Sequence, residues 1–258
     1  MSRYVLDHRL EGEKKRLALM SQLLDPMHRR QIESLGISHE ARVLEVGCGN
    51  ASMSAWMAEH IAPEGQIVAL DLDLSLVDNV RAPSVEFRQG DIVTGPVDPG
   101  GFDFVTARAV LHHVADAEAA IGNLVANLRP GGAILLIEPD LLPVSVAEPI
   151  EMRTFWSGWL AWSRERGIDY HIGRTLAPRL AAYGLKEIEG TAETAIYNGG
   201  SRWADYWRET ITELRGDLVQ SGKLNDALVD AFLAQCADPN WWTQTIAFTA
   251  VHASAPGS

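Results

Sequence analysis

The sequence predicts an α/β fold built on a mostly parallel sheet with helices on both faces. Three observations predict it. From residue 42 onward, short apolar strands alternate with helical stretches, the pattern of a sheet buried on both sides. A glycine turn, Gly47-Cys48-Gly49, separates the first strand from the helix after it, as in nucleotide-binding α/β folds. Near the C-terminus "TQTIAFTAVHA" alternates apolar and polar residues, which reads as a late strand.

The N-terminal part reads as helical. "LEGEKKRLALMSQLL" places leucines at 10, 17, 23 and 24 among charges. "DPMHRRQIESLG" reads as a separate helix, capped by Asp25, with Pro26 in its first turn and Gly36 as its stop. Strands follow at "RVLEV", "QIVALD", "VEFRQGD", "FDFVTA" and "AILLIE". The helices between them are "SMSAWMAEHIA", "LSLVDNVRA" and "DAEAAIGNLVANL", and "RPGG" turns into the fifth strand. Beyond Pro139, residues 141–170 are helical and rich in aromatics. "TLAPRLAAYGL" is a helix capped by Thr175, "LKEIEGTAE" is a strand, and residues 201–236 are again mostly helical. The expected organisation is one domain. Its core is 39–140 with 174–200 and 241–253; residues 1–38 form a helical cap, and 141–173 and 201–240 are cap insertions.

Composition narrows the function. The chain has 258 residues, 47% of them hydrophobic, which is sufficient for one sizeable core. Its formal charge of −12, without a basic run, argues against nucleic acid phosphates as partners. No run of 18 apolar residues predicts a membrane span, and the charged N-terminus lacks an apolar signal region. Cys48 and Cys236 have neither metal nor disulfide spacing, so a cytoplasmic setting without a metal is expected.

A glycine turn after a buried strand lets a ligand approach the backbone. A dinucleotide fingerprint would want a third glycine where Ser52 stands, which weakens a pyrophosphate reading. The acids decide more. Glu45, Asp71 and Asp91 close three successive strands. Asp71 stands where an acid hydrogen-bonds a ribose diol, and Asp91 is within reach of an adenine. Such a set suits a nucleoside without phosphates, and S-adenosylmethionine is one.

The motifs "VLEVGCGNA", "VALDLD", "FRQGDI", "FDFVTARAVLHHV" and "LRPGGAILLIEP" together resemble those of class I S-adenosylmethionine-dependent methyltransferases. The resemblance covers about residues 42–139 and is greatest to the branch that methylates small molecules, including quinones and natural products. Ala51 stands where that family commonly has a third glycine. The resemblance implies a Rossmann-like, seven-stranded sheet of order 3-2-1-4-5-7-6 with the last strand antiparallel. It places Glu45, Gly47 and Gly49 at the methionine end of the cofactor and Asp71 at its ribose. Leu72, Asp91 and Ile92 would surround the adenine. Ala107 and Arg108 would stand near the methionine amino group, and Tyr4 and Arg16 would close over the cofactor, with Arg16 on its carboxylate.

His112 and His113 follow the fourth strand and are candidate catalytic residues, with Glu138 or Asp140 as the carboxylate beside them. Such a pair would act as a general base titrating near pH 6 to 7. His171 reads as a surface residue. Half of the aromatics Phe155, Trp156, Trp159, Trp162, Trp203, Tyr206 and Trp207 are expected to pack, and the others to wall an aromatic or apolar acceptor. The expected activity is methyl transfer to oxygen, nitrogen or carbon of a small molecule, in secondary metabolism. A same-fold protein that catalyses cyclisation and a nicotinamide-dependent oxidoreductase are the alternatives.

Overall fold

The computed structural model describes residues 11–77 and 83–257. Helix α1 (Glu11–Ser34) leads into strand β1 (Arg42–Val46), helix α2 (Ser52–His60), and strands β2 (Gln66–Asp71) and β3 (Val85–Gln89). Then come β4 (Phe102–Arg108), α3 (Ala117–Ala126) and β5 (Leu128–Asp140). Helices α4 (Ile150–Glu165) and α5 (Leu176–Ala182) precede β6 (Lys186–Glu193) and β7 (Ile196–Asn198). The chain finishes with α6 (Arg202–Gln220), α7 (Asp226–Ala237), β8 (Trp242–Gln244) and β9 (Ala247–Ser254).

Seven strands form one sheet in the order β3-β2-β1-β4-β5-β9-β6. β9 runs antiparallel to both β5 and β6, and the β1–β2, β1–β4, β2–β3 and β4–β5 pairs are parallel. This is the expected order, with β9 as the seventh sheet strand; β7 and β8 pair apart as a two-stranded ribbon. The central strands are almost continuous apolar runs because both sheet faces are covered. On one face Val43, Phe104, Leu135 and Ile137 pack with residues of α1, α2, α4, α6 and α7. On the other, Leu44, Val105, Leu136 and Val251 pack with α3 and α5.

Three local expectations are corrected. Residues 11–34 form one helix and not two. α1 runs unbroken past Pro26, and Asp25 is not its cap. A proline inside a helix removes a hydrogen bond and crowds the preceding turn. Here burial of Leu17, Leu24, Met27 and Ile32 against the domain holds the helix together. Thr175 makes no side-chain cap to α5; its hydroxyl donates instead to the Ile172 carbonyl at 2.9 Å. The helix expected at 74–82 is a turn over 74–77, and 78–82 lie outside the described residues.

Most of the aromatics are core. Phe155, Trp156, Trp159, Trp162 and Trp207 are buried and meet edge-to-face or stacked, for example Trp156 on Trp207 at 4.8 Å and Phe155 on Phe232 at 4.0 Å. Trp203 and Tyr206 are half-buried.

Candidate active site

The carboxyl ends of β1, β2, β4 and β5 meet under α1, and the glycine turn lies there. Gly47 has φ +74°, and its N–H donates to the Leu70 carbonyl at 2.8 Å. A side chain there would strike Val110 Cγ2 at 2.2 Å, so only glycine fits. Gly49 also has a left-handed backbone, φ +53°, but a Cβ on it would meet nothing within 4 Å. The backbone at Gly49 therefore faces open space. Ala51 takes the same left-handed region, φ +58°, which explains why glycine suits this position in similar chains.

Asp71 ties the turn to β2. Its Oδ2 accepts from the Gly49 N–H at 2.8 Å and its Oδ1 from the Asp73 N–H at 3.2 Å. The side chain is half-buried, and each oxygen keeps a lone pair for a ligand hydroxyl. Leu72 beside it is 51% exposed. Asp91 Oδ1 accepts from the Val93 N–H at 2.9 Å, and Ile92 is buried with its carbonyl bonded to Asn123 Nδ2 at 2.7 Å.

Glu45 is buried and accepts from the Ser54 hydroxyl on α2. Burial pushes its carboxyl up to about 7, opposed by the Ser54 hydrogen bond and by Arg108. Arg108 closes β4 and pairs with Asp25 of α1, Nη2 to Oδ1 at 2.8 Å. Both side chains are almost fully enclosed, at 11% and 9% exposure. One turn along α1, His28 Nε2 lies 2.9 Å from the Thr106 hydroxyl. Ser21, a turn earlier, donates to Asn50 in the glycine turn at 3.1 Å. Thus one face of α1 carries Ser21, Asp25 and His28 over the strand ends. Sequence reasoning missed this stripe because Asp-Pro imitates a helix start. Ala107 is fully buried in the core, so only its backbone is available to a ligand. Cys48 is buried, and that burial raises its thiol pKa, which fits a packing role and not a nucleophile.

His112 and His113 form a short helical turn after β4, with ring centroids 3.8 Å apart. Glu138, two residues from the end of β5, receives the turn. Its Oε1 accepts from the N–H groups of Val110 at 2.9 Å and Leu111 at 2.7 Å. Its Oε2 accepts from the His112 backbone at 3.2 Å and lies 2.8 Å from His112 Nδ1. Four donors on two oxygens suit an ionised carboxylate, with Nδ1–H donating and Nε2 left as the acceptor. Burial works against them and pushes the Glu138 carboxyl up to about 7. Asp140 is not a partner of either histidine. Arg174 holds it bidentately, Nε and Nη2 both at 2.6 Å, and the Leu142 N–H adds a bond at 2.7 Å. Asp140 ties the turn before α5 to the end of β5, and the histidine carboxylate is Glu138.

The expected titration near 6 to 7 is also corrected. Burial first, then Arg16, lowers His112 to about 3, and burial, His112 and Arg16 lower His113 well below its ordinary value. Both rings are neutral at pH 7. This has a consequence for stability. The unfolded imidazole takes a proton below about pH 6.5, whereas folded His112 refuses one until about pH 3. The contribution is present above 6.5 and is lost as pH falls through that window. Each unit of this mismatch is worth about 1.4 kcal/mol, so passing from pH 6.5 to 5 should remove about 2 kcal/mol through His112. Urea unfolding of wild type and His112→Gln at pH 7 and 5 tests this. The variant should show the smaller loss; the raised carboxyls of Glu45 and Glu138, which favour lower pH, are present in both proteins. An equal loss would remove His112 as its source.

Arg16 is not a solvated helix charge. It is 2% exposed, its Nη1 is 3.4 Å from the Tyr206 hydroxyl of α6, and it acts electrostatically on both histidines. Tyr170, absent from the expected set, has its ring 5.3 Å from His112, while Asp169 N–H donates to the His112 carbonyl at 2.8 Å. Tyr4 lies outside the described residues. No group of three or more metal-ligating side chains occurs among the described residues, and no described helix is long and apolar enough to cross a membrane.

Comparison with known proteins bears on this arrangement. Residues 12–189, more than half of the chain, match the family described as a methyltransferase domain. A ubiquinone/menaquinone biosynthesis C-methyltransferase of Pseudomonas putida is 32% identical over 115 residues, covering 42% of this chain and 45% of that protein. Phosphoethanolamine N-methyltransferase 1 of Triticum aestivum is 26% identical over 163 residues, covering 61% of this chain and 30% of that protein. The chain thus spans less than half the length of these curated relatives. Among solved structures, Haemonchus contortus phosphoethanolamine N-methyltransferase 2, in complex with phosphomonomethylethanolamine and S-adenosylhomocysteine, superposes with a TM-score of 0.55 at 16% identity. That superposition covers 94% of this chain and 52% of the other. The chain belongs to the methyltransferase-domain family, and its fold is that of the class I S-adenosylmethionine-dependent methyltransferases.

Proposed function

We propose that the protein transfers a methyl group from S-adenosylmethionine to a small organic acceptor in secondary metabolism. The observation that carries this reading is the set Glu45, Asp71 and Asp91 at or just past the ends of three successive strands, with Asp71 bonded to the open backbone of Gly49. The residues fit the cofactor. Asp71 has lone pairs for two ribose hydroxyls. Leu72 offers exposed apolar surface for the adenine, and the backbone beyond Ile92 turns toward Asp91. The buried Glu45 carboxylate and the Arg108 guanidinium would serve the ammonium and carboxylate of the methionine end. The cofactor, when bound, supplies an electrophilic methyl group on a sulfonium.

The chain's own part is to hold, align and exclude water. Asp71 anchors the ribose. Tyr170, whose ring lies 5.3 Å from His112, would wall an aromatic or apolar acceptor, with the half-buried Tyr206 beside Arg16 as a second aromatic. His112 is held by Glu138 with Nε2 as the proton acceptor, and the His113 ring lies against it, tilted by 40°. A neutral imidazole of such low basicity is best suited to orienting an acceptor hydroxyl and receiving its proton late in the transfer. His112→Asn and His113→Asn are each expected to lower kcat by roughly 10²-fold with cofactor affinity retained. The wild-type rate should show no histidine inflection between pH 6 and 7. Full kcat in both variants would leave alignment as the whole mechanism.

Asp71→Ala is expected to weaken S-adenosylmethionine binding by about 10- to 100-fold, the loss of charge-assisted hydrogen bonds, with the fold kept. Calorimetric titration with S-adenosylmethionine and with NAD tests the reading as a whole. Binding of NAD in preference would overturn it. Mass spectrometry of the product, looking for a gain of one methyl group, separates transfer from cyclisation.

A further inference from the structure

Ser54 stands where the glycine turn brings α2 back over the end of β1. It is the third residue of α2, it is fully buried, and its hydroxyl donates to Glu45 Oε2 across nine residues of chain. A serine inside a helix commonly bonds back to its own backbone; this one is turned to a carboxylate instead. The bond occupies one oxygen of Glu45. Oε1 accepts from no described residue and is not one of the buried, unpartnered side-chain atoms, so it keeps the access that a ligand needs.

The charged groups around Glu45 do not hold it ionised by themselves. Arg108 of β4 favours the carboxylate, whereas Asp25 of α1 and Asp71 of β2 oppose it, and the Cys48 thiol in the glycine turn is neutral. Arg108 is also shared with Asp25, its ion-pair partner. Burial prevails and brings the carboxyl to about 7; the Ser54 hydrogen bond is the largest opposing influence, ahead of Arg108.

We propose that Ser54 is a positioning residue for the cofactor: its hydroxyl fixes the Glu45 carboxylate so that Oε1 is presented to the ammonium of the methionine end, and binding at neutral pH depends on that bond. The proposal rests on the reading of this cleft as an S-adenosylmethionine site with Glu45 at the methionine end. Without the hydroxyl, Oε2 loses its donor in a buried place, and the carboxyl holds its proton to higher pH. A neutral carboxyl attracts an ammonium far less than a carboxylate does.

The test is calorimetric titration from pH 6 to 8 with two probes. S-adenosylhomocysteine carries the amino acid end, and 5′-methylthioadenosine is the same nucleoside without it. An ammonium selects the ionised carboxylate, so wild-type affinity for S-adenosylhomocysteine should fall as pH drops through about 7, while that for 5′-methylthioadenosine stays level. One hydrogen bond to a charged group is worth at least about one pKa unit. Ser54→Ala should therefore bind S-adenosylhomocysteine about 10-fold more weakly at pH 6 and about 2-fold more weakly at pH 8. Its affinity for 5′-methylthioadenosine should be unchanged, and Ser54→Thr, which keeps a hydroxyl, should restore the wild-type profile. Wild-type binding of S-adenosylhomocysteine by Ser54→Ala, equal weakening of both probes, or failure of a folded Ser54→Thr to restore would each overturn the proposal. Should the added methyl of threonine prevent folding at this buried position, the two-probe comparison in Ser54→Ala decides. Glu45→Gln separates the two levels of the argument. If it too leaves S-adenosylhomocysteine binding intact, the placing of Glu45 at the methionine end fails; if it weakens binding and Ser54→Ala does not, the role of Ser54 alone fails.

Discussion

Glu138→Ala is expected to lower the free energy of unfolding by about 3–5 kcal/mol, the range seen when one partner of a buried polar pair is removed. Glu138 is 0% exposed and takes bonds from three backbone N–H groups and one imidazole. Its removal orphans four buried donors, each costing about 1–3 kcal/mol, part of which water entering the space would recover. Glu138→Gln should fall between the two, because it keeps one acceptor oxygen and turns an amine toward the remaining donors. Urea midpoints measure both. The turn bearing His112 and His113 is held by these bonds, so kcat should fall in Glu138→Gln while cofactor affinity changes little. A Glu138→Ala protein as stable as wild type would contradict the four-donor arrangement.

Asp25→Ala should destabilise the protein by a similar amount, about 3–5 kcal/mol, because Arg108 would be left as an uncompensated buried charge. The double variant Asp25→Leu with Arg108→Met tests why the pair exists. Replacing a buried ion pair by apolar groups of similar volume is commonly neutral or better for stability. Most of the loss should therefore be recovered in unfolding experiments. Cofactor affinity should not recover, and should remain about 10- to 100-fold weak, if Arg108 serves the methionine end. Recovery of both stability and affinity would make the pair purely structural. The two measurements thus separate what holds α1 on the sheet from what holds the ligand.

Which parts of this site could be read from residue order follows from the range of the forces involved. Gly47, Gly49, Asp71 and Asp91 are set by local rules. A turn that needs left-handed backbone calls for glycine, and an acid at the end of an apolar run stands at a strand end, where sheets of this kind bind ligands. Pro26 shows the limit. Local propensity ends a helix there, yet α1 continues because burial of Leu24, Met27 and Ile32 outweighs one missing hydrogen bond. Asp25 looks like a helix cap from its neighbours in the chain, yet it is governed by the distant Arg108, and Asp140 is likewise held by Arg174.

The sequence by itself determined the α/β class and the strand-end acids, because hydrophobic period and turn chemistry are properties of consecutive residues, while the strand order followed only from the resemblance of its motifs to a known family. Only the tertiary structure decided that Glu138 and not Asp140 holds the histidine turn, that both imidazoles are neutral at pH 7, and that α1 places Asp25 on Arg108. Protonation and ion pairing depend on distance and desolvation, which vary steeply over a few ångströms and are set by elements brought together from opposite parts of the chain.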